Sequence, residues 1–155
     1  MGGSIVSRCL TNGRRNIVEN EESERLLDEI GQLLARDLQY PLEETLLHAE
    51  VGRNFVGPSI FKNLPDRVLY RRPDLRDLGD ALLDLWEAQD TNDRWEEIEY
   101  VTRNGTFDVH FIYPDEIDRE EDPFDRRDRI VQRHFGEKPI VYPPDDDDDP
   151  LQYEL

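Results

Sequence analysis

Apolar and polar positions alternate most clearly between Trp95 and Tyr113, on either side of Asn104-Gly105. An Asn-Gly pair accepts the positive φ values of a two-residue type I′ turn, so the segment predicts a β-hairpin. The turn fixes the register. Arg103 stands opposite Thr106, Thr102 opposite Phe107, Tyr100 opposite Val109 and Ile98 opposite Phe111. One face then collects Ile98, Tyr100, Phe107, Val109, Phe111 and Tyr113. The other carries Glu97, Arg103 and Asp108 and sets Glu99 across from His110, which predicts one dry face and one solvated face. Trp95 opens the hairpin and is read first as cover for a core edge. If exposed, it would be the best aromatic anchor for a partner.

The rest of the chain supplies elements to cover the dry face. Leu26, Leu27, Ile30, Leu33, Leu34 and Leu38 recur at helical spacing and predict a helix over 21–39. Asn20 is its candidate cap, Glu21, Glu22 and Glu24 suit the positive end of its dipole, and Pro41 stops it. From Thr45 to Tyr70 short apolar runs read as strands, with turns at Gly52, Gly57-Pro58 and Asn63-Leu64-Pro65-Asp66. Pro73-Asp74 opens a second helix, with Asp74 as cap and Asp77 in the reciprocal capping position. Its buried stripe is Leu75, Leu78, Leu82, Leu85 and Trp86. Asp122-Pro123 starts a third helix that ends at Gly136, with Phe124, Arg127, Val131, His134 and Phe135 at helical spacing. Its arginines Arg126, Arg127, Arg129 and Arg133 are expected to pair along the helix with Asp122 and Asp125. A short extended piece, Pro139–Tyr142, follows.

These elements predict one layered α/β domain of the α+β kind over 19–142, with an antiparallel sheet containing the 95–113 hairpin packed against about three helices. Residues 1–18 lack periodicity and read as a flexible arm. Residues 143–155, with five consecutive aspartates, read as an acidic disordered tail.

Charge narrows the function more than length does. The 155 residues carry a net charge of −18, which would repel a phosphate backbone, so no nucleic-acid partner is expected. No apolar run approaches a membrane span, and the N-terminal residues lack the apolar core of a secretory signal, so cytoplasm is the expected compartment. With one cysteine, Cys9, the chain has no internal disulfide and no multi-cysteine zinc site. His48, His110 and His134 have no ligand spacing, and His110 is read as a cross-strand partner of Glu99. No phosphate-cradling or nucleophile motif occurs. Asp145–Asp149 lacks the glycine and final glutamate of an EF-hand loop. Close carboxylate pairs arise by chance among 37 acidic residues, so none is nominated for acid-base work. No catalytic residue, metal or cofactor is assigned.

The stretch from about Leu69 to Gly136 resembles the YezG-like immunity or antitoxin family of bacterial polymorphic toxin systems. The shared order is a strand ending at Tyr70, a Leu-rich helix ending at Trp86, and Trp95 opening a hairpin turned at Gly105-Thr-Phe. Phe111-Ile-Tyr113 with Asp115 close behind follows, then an Arg126-Arg127 helix ending in Phe135-Gly136. The arm and the aspartate tail lie outside it. The resemblance implies a non-catalytic cytoplasmic protein that binds and blocks a cognate toxin, often a nuclease. Joined to the acidity, it implies a basic toxin whose active site is occluded. The expected partner-binding residues are Trp95, Glu97, Glu99 and Asp108 on the hairpin, with Asp115, Glu116, Asp118, Glu120 and Glu121 in the loop behind it. The alternatives are an acidic interaction module unrelated to toxins and an enzyme with an unrecognised carboxylate site.

Overall fold

In the computed structural model, which describes residues 8–10, 21–89 and 92–143, the chain builds one mixed sheet with helices on both faces. The strands are β1 (Arg8–Leu10), β2 (Thr45–Gly52), β3 (Phe55–Asn63), β4 (Val68–Arg71), β5 (Glu97–Arg103), β6 (Thr106–Ile112) and β7 (Ile140–Val141). The helices are α1 (Glu21–Leu34), α2 (Asp77–Glu87) and α3 (Pro123–Phe135). The strand order is β1-β6-β5-β2-β3-β4-β7. Antiparallel ladders join the five central strands, while β1 and β7 add in parallel at the two edges. The rest of the 1–18 arm, the Asn20 cap and nearly all of the aspartate tail lie outside the described residues.

The 95–113 hairpin has the register its turn dictates. Ile98 pairs with Phe111, Tyr100 with Val109 and Thr102 with Phe107, and both Asn104 and Gly105 have positive φ. Its dry face packs under α1 and α2, where Leu26, Leu27, Ile30, Leu78, Leu82 and Leu85 meet Tyr100, Phe107 and Phe111. Tyr100 stacks on Phe107 with ring centroids 4.6 Å apart, and its hydroxyl donates to the Leu27 carbonyl at 2.8 Å, so one side chain ties α1 to the sheet. Truncating a buried leucine of this layer, such as Leu82, would cost about 2–5 kcal/mol.

Three boundaries differ from the sequence pattern. The first helix stops at Leu34 instead of Gln39. Asp37 Oδ1 accepts the N–H groups of Gln39 and Tyr40, offering the backbone an alternative to the helix, and Arg71 grips the same carboxylate at 2.8 and 3.0 Å. Leu38 is thereby turned out, 98% exposed. Gly57-Pro58 is no turn, since both residues run inside β3. There β4 pairs only with Ile60–Asn63, so the outer edge of β3 at Pro58 has no ladder to break. Asp74 does cap the second helix, accepting from Arg76 N–H and Asp77 N–H, but Asp77 gives its own carboxylate to Arg36 at 2.8 Å. Leu75, on that opening turn, is exposed where the stripe placed it inside.

Gly52 and Gly105 isolate the cost of the turn. A Cβ at either would meet nothing within 4 Å, and only Gly105 has positive φ, +75°. Gly105→Ala should therefore lose about 1 kcal/mol, a fall of a few degrees in melting temperature. Gly52→Ala should lose nothing. Equal melting temperatures for the two variants in thermal circular dichroism would contradict the type I′ assignment.

Candidate functional site

The third helix forms where the sequence places it. Asp122 Oδ1 accepts from Phe124 N–H at 2.8 Å and Asp125 N–H at 3.3 Å, Pro123 occupies the first turn, and Gly136 leaves the helix at φ +86°. Ile130, Val131 and Phe135 then pack on Leu46, Phe61, Val68 and Val101, the apolar residues of the second sheet face. This helix overturns the expectation of a solvated hairpin face. Glu97 is 4% exposed and Glu99 2%, because α3 lies across them.

Carboxylates so placed need counter-charges, and α3 brings them. Arg126 Nη1 donates to Glu97 Oε1, which also meets His48 Nε2 at 3.1 Å. Arg133 Nη2 straddles Glu99 at 2.7 and 2.8 Å, and His134 Nε2 lies 2.8 Å from Glu99 Oε1. Burial pushes the Glu99 carboxyl up, but His134 and Arg133 outweigh it and hold it down at about 2. Glu97 is likewise depressed, burial being outweighed by hydrogen bonds from His48 and Arg126 and by their charge.

The helix arginines therefore do not pair with Asp122 and Asp125, as their spacing suggested. Arg126 and Arg133 reach into the sheet, while Arg129 grips Glu121 at 2.8 and 3.0 Å. Glu99 stands opposite His110 in register, and its carboxylate is bonded to Arg133 and His134 of α3. A signal for this was present. Arg126, Ile130, Arg133 and His134 share one helical face, so the charges ride on the buried stripe and answer two carboxylates at alternate strand positions.

The predicted partner-binding residues are thus divided. Trp95 is 1% exposed and packs on Phe111 with centroids 5.1 Å apart, so it is core. Glu97 and Glu99 are interior, and none of these three is an accessible contact. Asp108 is exposed but lies toward the turn end of β6. Asp115, Glu116, Asp118 and Glu120 are exposed and Glu121 half-buried, gathered between the end of β6 and the start of α3. Glu116 also accepts the Tyr113 N–H at 2.9 Å, fixing the turn Pro114–Glu116. Arg119 spans Glu96 with two 2.8 Å bonds, which tie the loop to the strand end.

Sequence reasoning also missed Lys62. Its side chain is buried, its ammonium donates to the Pro41 carbonyl and Thr45 hydroxyl at 2.8 Å each, and burial lowers its pKa to about 8. It secures the connection between α1 and β2. Among the described residues no group of three or more histidines, cysteines or carboxylates is arranged to hold a metal ion. No helix there is long and apolar enough to cross a membrane.

Acid titration should expose the α3 clamp. Carboxyls depressed in the folded state add stability that is complete above their unfolded value, about 4.3, and lost as pH falls through the folded value. For Glu99 the window runs from about pH 5 down to pH 2 and is worth about 3 kcal/mol. Urea unfolding of Glu99→Gln should show a loss of about 2–3 kcal/mol at pH 7 that shrinks as both proteins are taken to pH 3. A loss independent of pH would mean that the ion pairs do not hold the helix.

Comparison with known proteins bears on this same region. A family model described as Immunity protein YezG-like matches residues 65–144, just over half of the chain, taking in β4, α2, the β5–β6 hairpin, α3 and β7. No curated protein matches the chain. The matched span contains α3, its buried counter-charges on β5 and the acidic loop between them. The chain belongs to the family of YezG-like immunity proteins.

Proposed function

We propose that the protein neutralises a cognate bacterial toxin by binding it through the acidic surface between β6 and α3, covering a basic active site of the nucleic-acid-cleaving kind. The family supplies the immunity function, and an immunity protein acts on a toxin. The observation that carries the finer reading is where accessible acidity sits once the fold has claimed its share. Glu97 and Glu99 are used inside, whereas residues 115–122 present six carboxylates and one arginine in a loop fixed at both ends. A site evolved for phosphates is complementary to such a loop, and the net charge of −18 steers a cationic partner toward it from a distance. Occlusion requires no chemistry from the immunity protein. Its contribution is a rigid, pre-organised surface.

The partner to test is the protein encoded beside this gene. Co-expression should rescue cells from it. Asp118→Lys with Glu120→Lys should weaken protection and slow association about tenfold at low salt, the difference closing as salt is raised. Glu116 and Glu121 are left intact because they hold the ends of the loop, on the Tyr113 N–H and on Arg129, whereas Asp118 makes only a local bond to the Glu120 N–H. A neighbour that is harmless alone, or full protection by the reversed protein, contradicts the proposal.

A further inference from the structure

A groove of about 380 Å³ lies between the turn-proximal part of the β2–β3 hairpin and the start of α3, and it is bounded by the acidic loop. Its arginines are already engaged. Arg119 is held by Glu96, Arg126 by Glu97, and Arg127 donates to the Tyr142 hydroxyl while its guanidinium lies 5.2 Å from that ring. Three of its carboxylates are spent the same way, Glu96 and Glu97 on those arginines and Glu121 on Arg129. Two others line the groove without an ion pair among the described residues. Glu50 is exposed on β2, and Asp118 gives one oxygen to the Glu120 N–H. Set against Arg127, whose hydrogen-bond partner is a neutral hydroxyl, these two carboxylates leave the uncommitted charge of the groove negative.

Phe124 stands at the same groove, 67% exposed, although it occupies the first turn of a helix whose other large apolar residues are inside. The Arg127 guanidinium already lies 5.3 Å from the Phe124 centroid, and the rest of the ring is open. That open area, beside two uncommitted carboxylates, is a receptor for a further guanidinium, which can lie on the ring and present its N–H fork to an acid. We infer that this groove takes an arginine side chain of the basic partner, with Phe124 as the stacking surface and Asp118 and Glu50 as the acceptors. The inference rests on the toxin-binding reading and adds where the partner docks. Charge complementarity selects the occupant. The chain's own tail is acidic and would be repelled, and an anion would face Glu50 and Asp118 with Arg119 and Arg126 already neutralised by Glu96 and Glu97.

The test is an amide NMR titration of the full chain with the peptide acetyl-Gly-Arg-Gly-amide. Shift changes should concentrate at Gly57, Ser59, Asp118 and Phe124, and Phe124→Ala and Glu50→Lys should each weaken binding about fivefold or more. Both positions are exposed, so the spectra themselves will report an intact fold. Shifts spread evenly over α1 and α2 would overturn the inference, as would inorganic phosphate moving the same amides more strongly than the peptide. Changing Asp145–Asp149 to asparagine in the full chain should lower affinity slightly, and a rise would identify the tail as the occupant and overturn it as well. The neighbouring toxin separates the two readings. If the groove variants protect as well as wild type, the arginine site is wrong and the immunity reading stands. If wild type does not protect, the immunity reading fails while the peptide titration still decides the groove.

Discussion

Glu97 and Glu99 sit two residues apart on the same face of a central strand, and their burial governs how that face is closed. An uncompensated carboxylate in the interior costs several kcal/mol, so whatever covers β5 must bring cations in the right places. Helix α3 does so by carrying Arg126, Arg133 and His134 on the stripe that also holds Ile130. The apolar contacts of α3 are few, formed by Ile130, Val131 and Phe135, and could be made in more than one register. The ion pairs remove that freedom, since sliding the helix by one turn would part Arg126 from Glu97 and Arg133 from Glu99. Fixing α3 fixes the loop that precedes it and the groove at its first turn.

Much of this was legible in the chain, for local reasons. Asn104-Gly105 determines every pair of the 95–113 hairpin, and Asp122, Pro123 and Gly136 bound α3 without help from the rest of the fold. What the sequence concealed depends on contacts between distant residues. Charged positions 97 and 99 alternate with apolar ones as a solvated face would, and only a helix whose arginines lie 29 and 34 residues onward makes them interior. Likewise, the leucine stripe continues through Leu38, but Arg71, 34 residues away, holds Asp37 in a turn that ends the helix early. Gly57-Pro58 has turn chemistry, yet the truncated β4 ladder leaves room for proline in a strand. In the candidate site, the acidic loop could be read directly. The exclusion of Trp95, Glu97 and Glu99 could not, because burial is a property of the assembled sheet.

The division of acidity has a functional consequence. Two buried glutamates are neutralised by two helix arginines, so the outward field comes from carboxylates elsewhere, and the loop 115–122 concentrates them at one end of the molecule. That end is also mechanically anchored, by Arg119 on Glu96, Arg129 on Glu121 and the Asp122 cap. Binding there would order few additional side chains, which favours affinity over an equally charged but mobile surface.

The most direct measurement is amide hydrogen exchange of the protein alone and bound to the protein encoded beside it. The account predicts new protection over 57–59 and 114–127, with α1 and the outer face of α2 exchanging as before. Protection centred on α1 and α2, with the 114–127 segment unchanged, would contradict it.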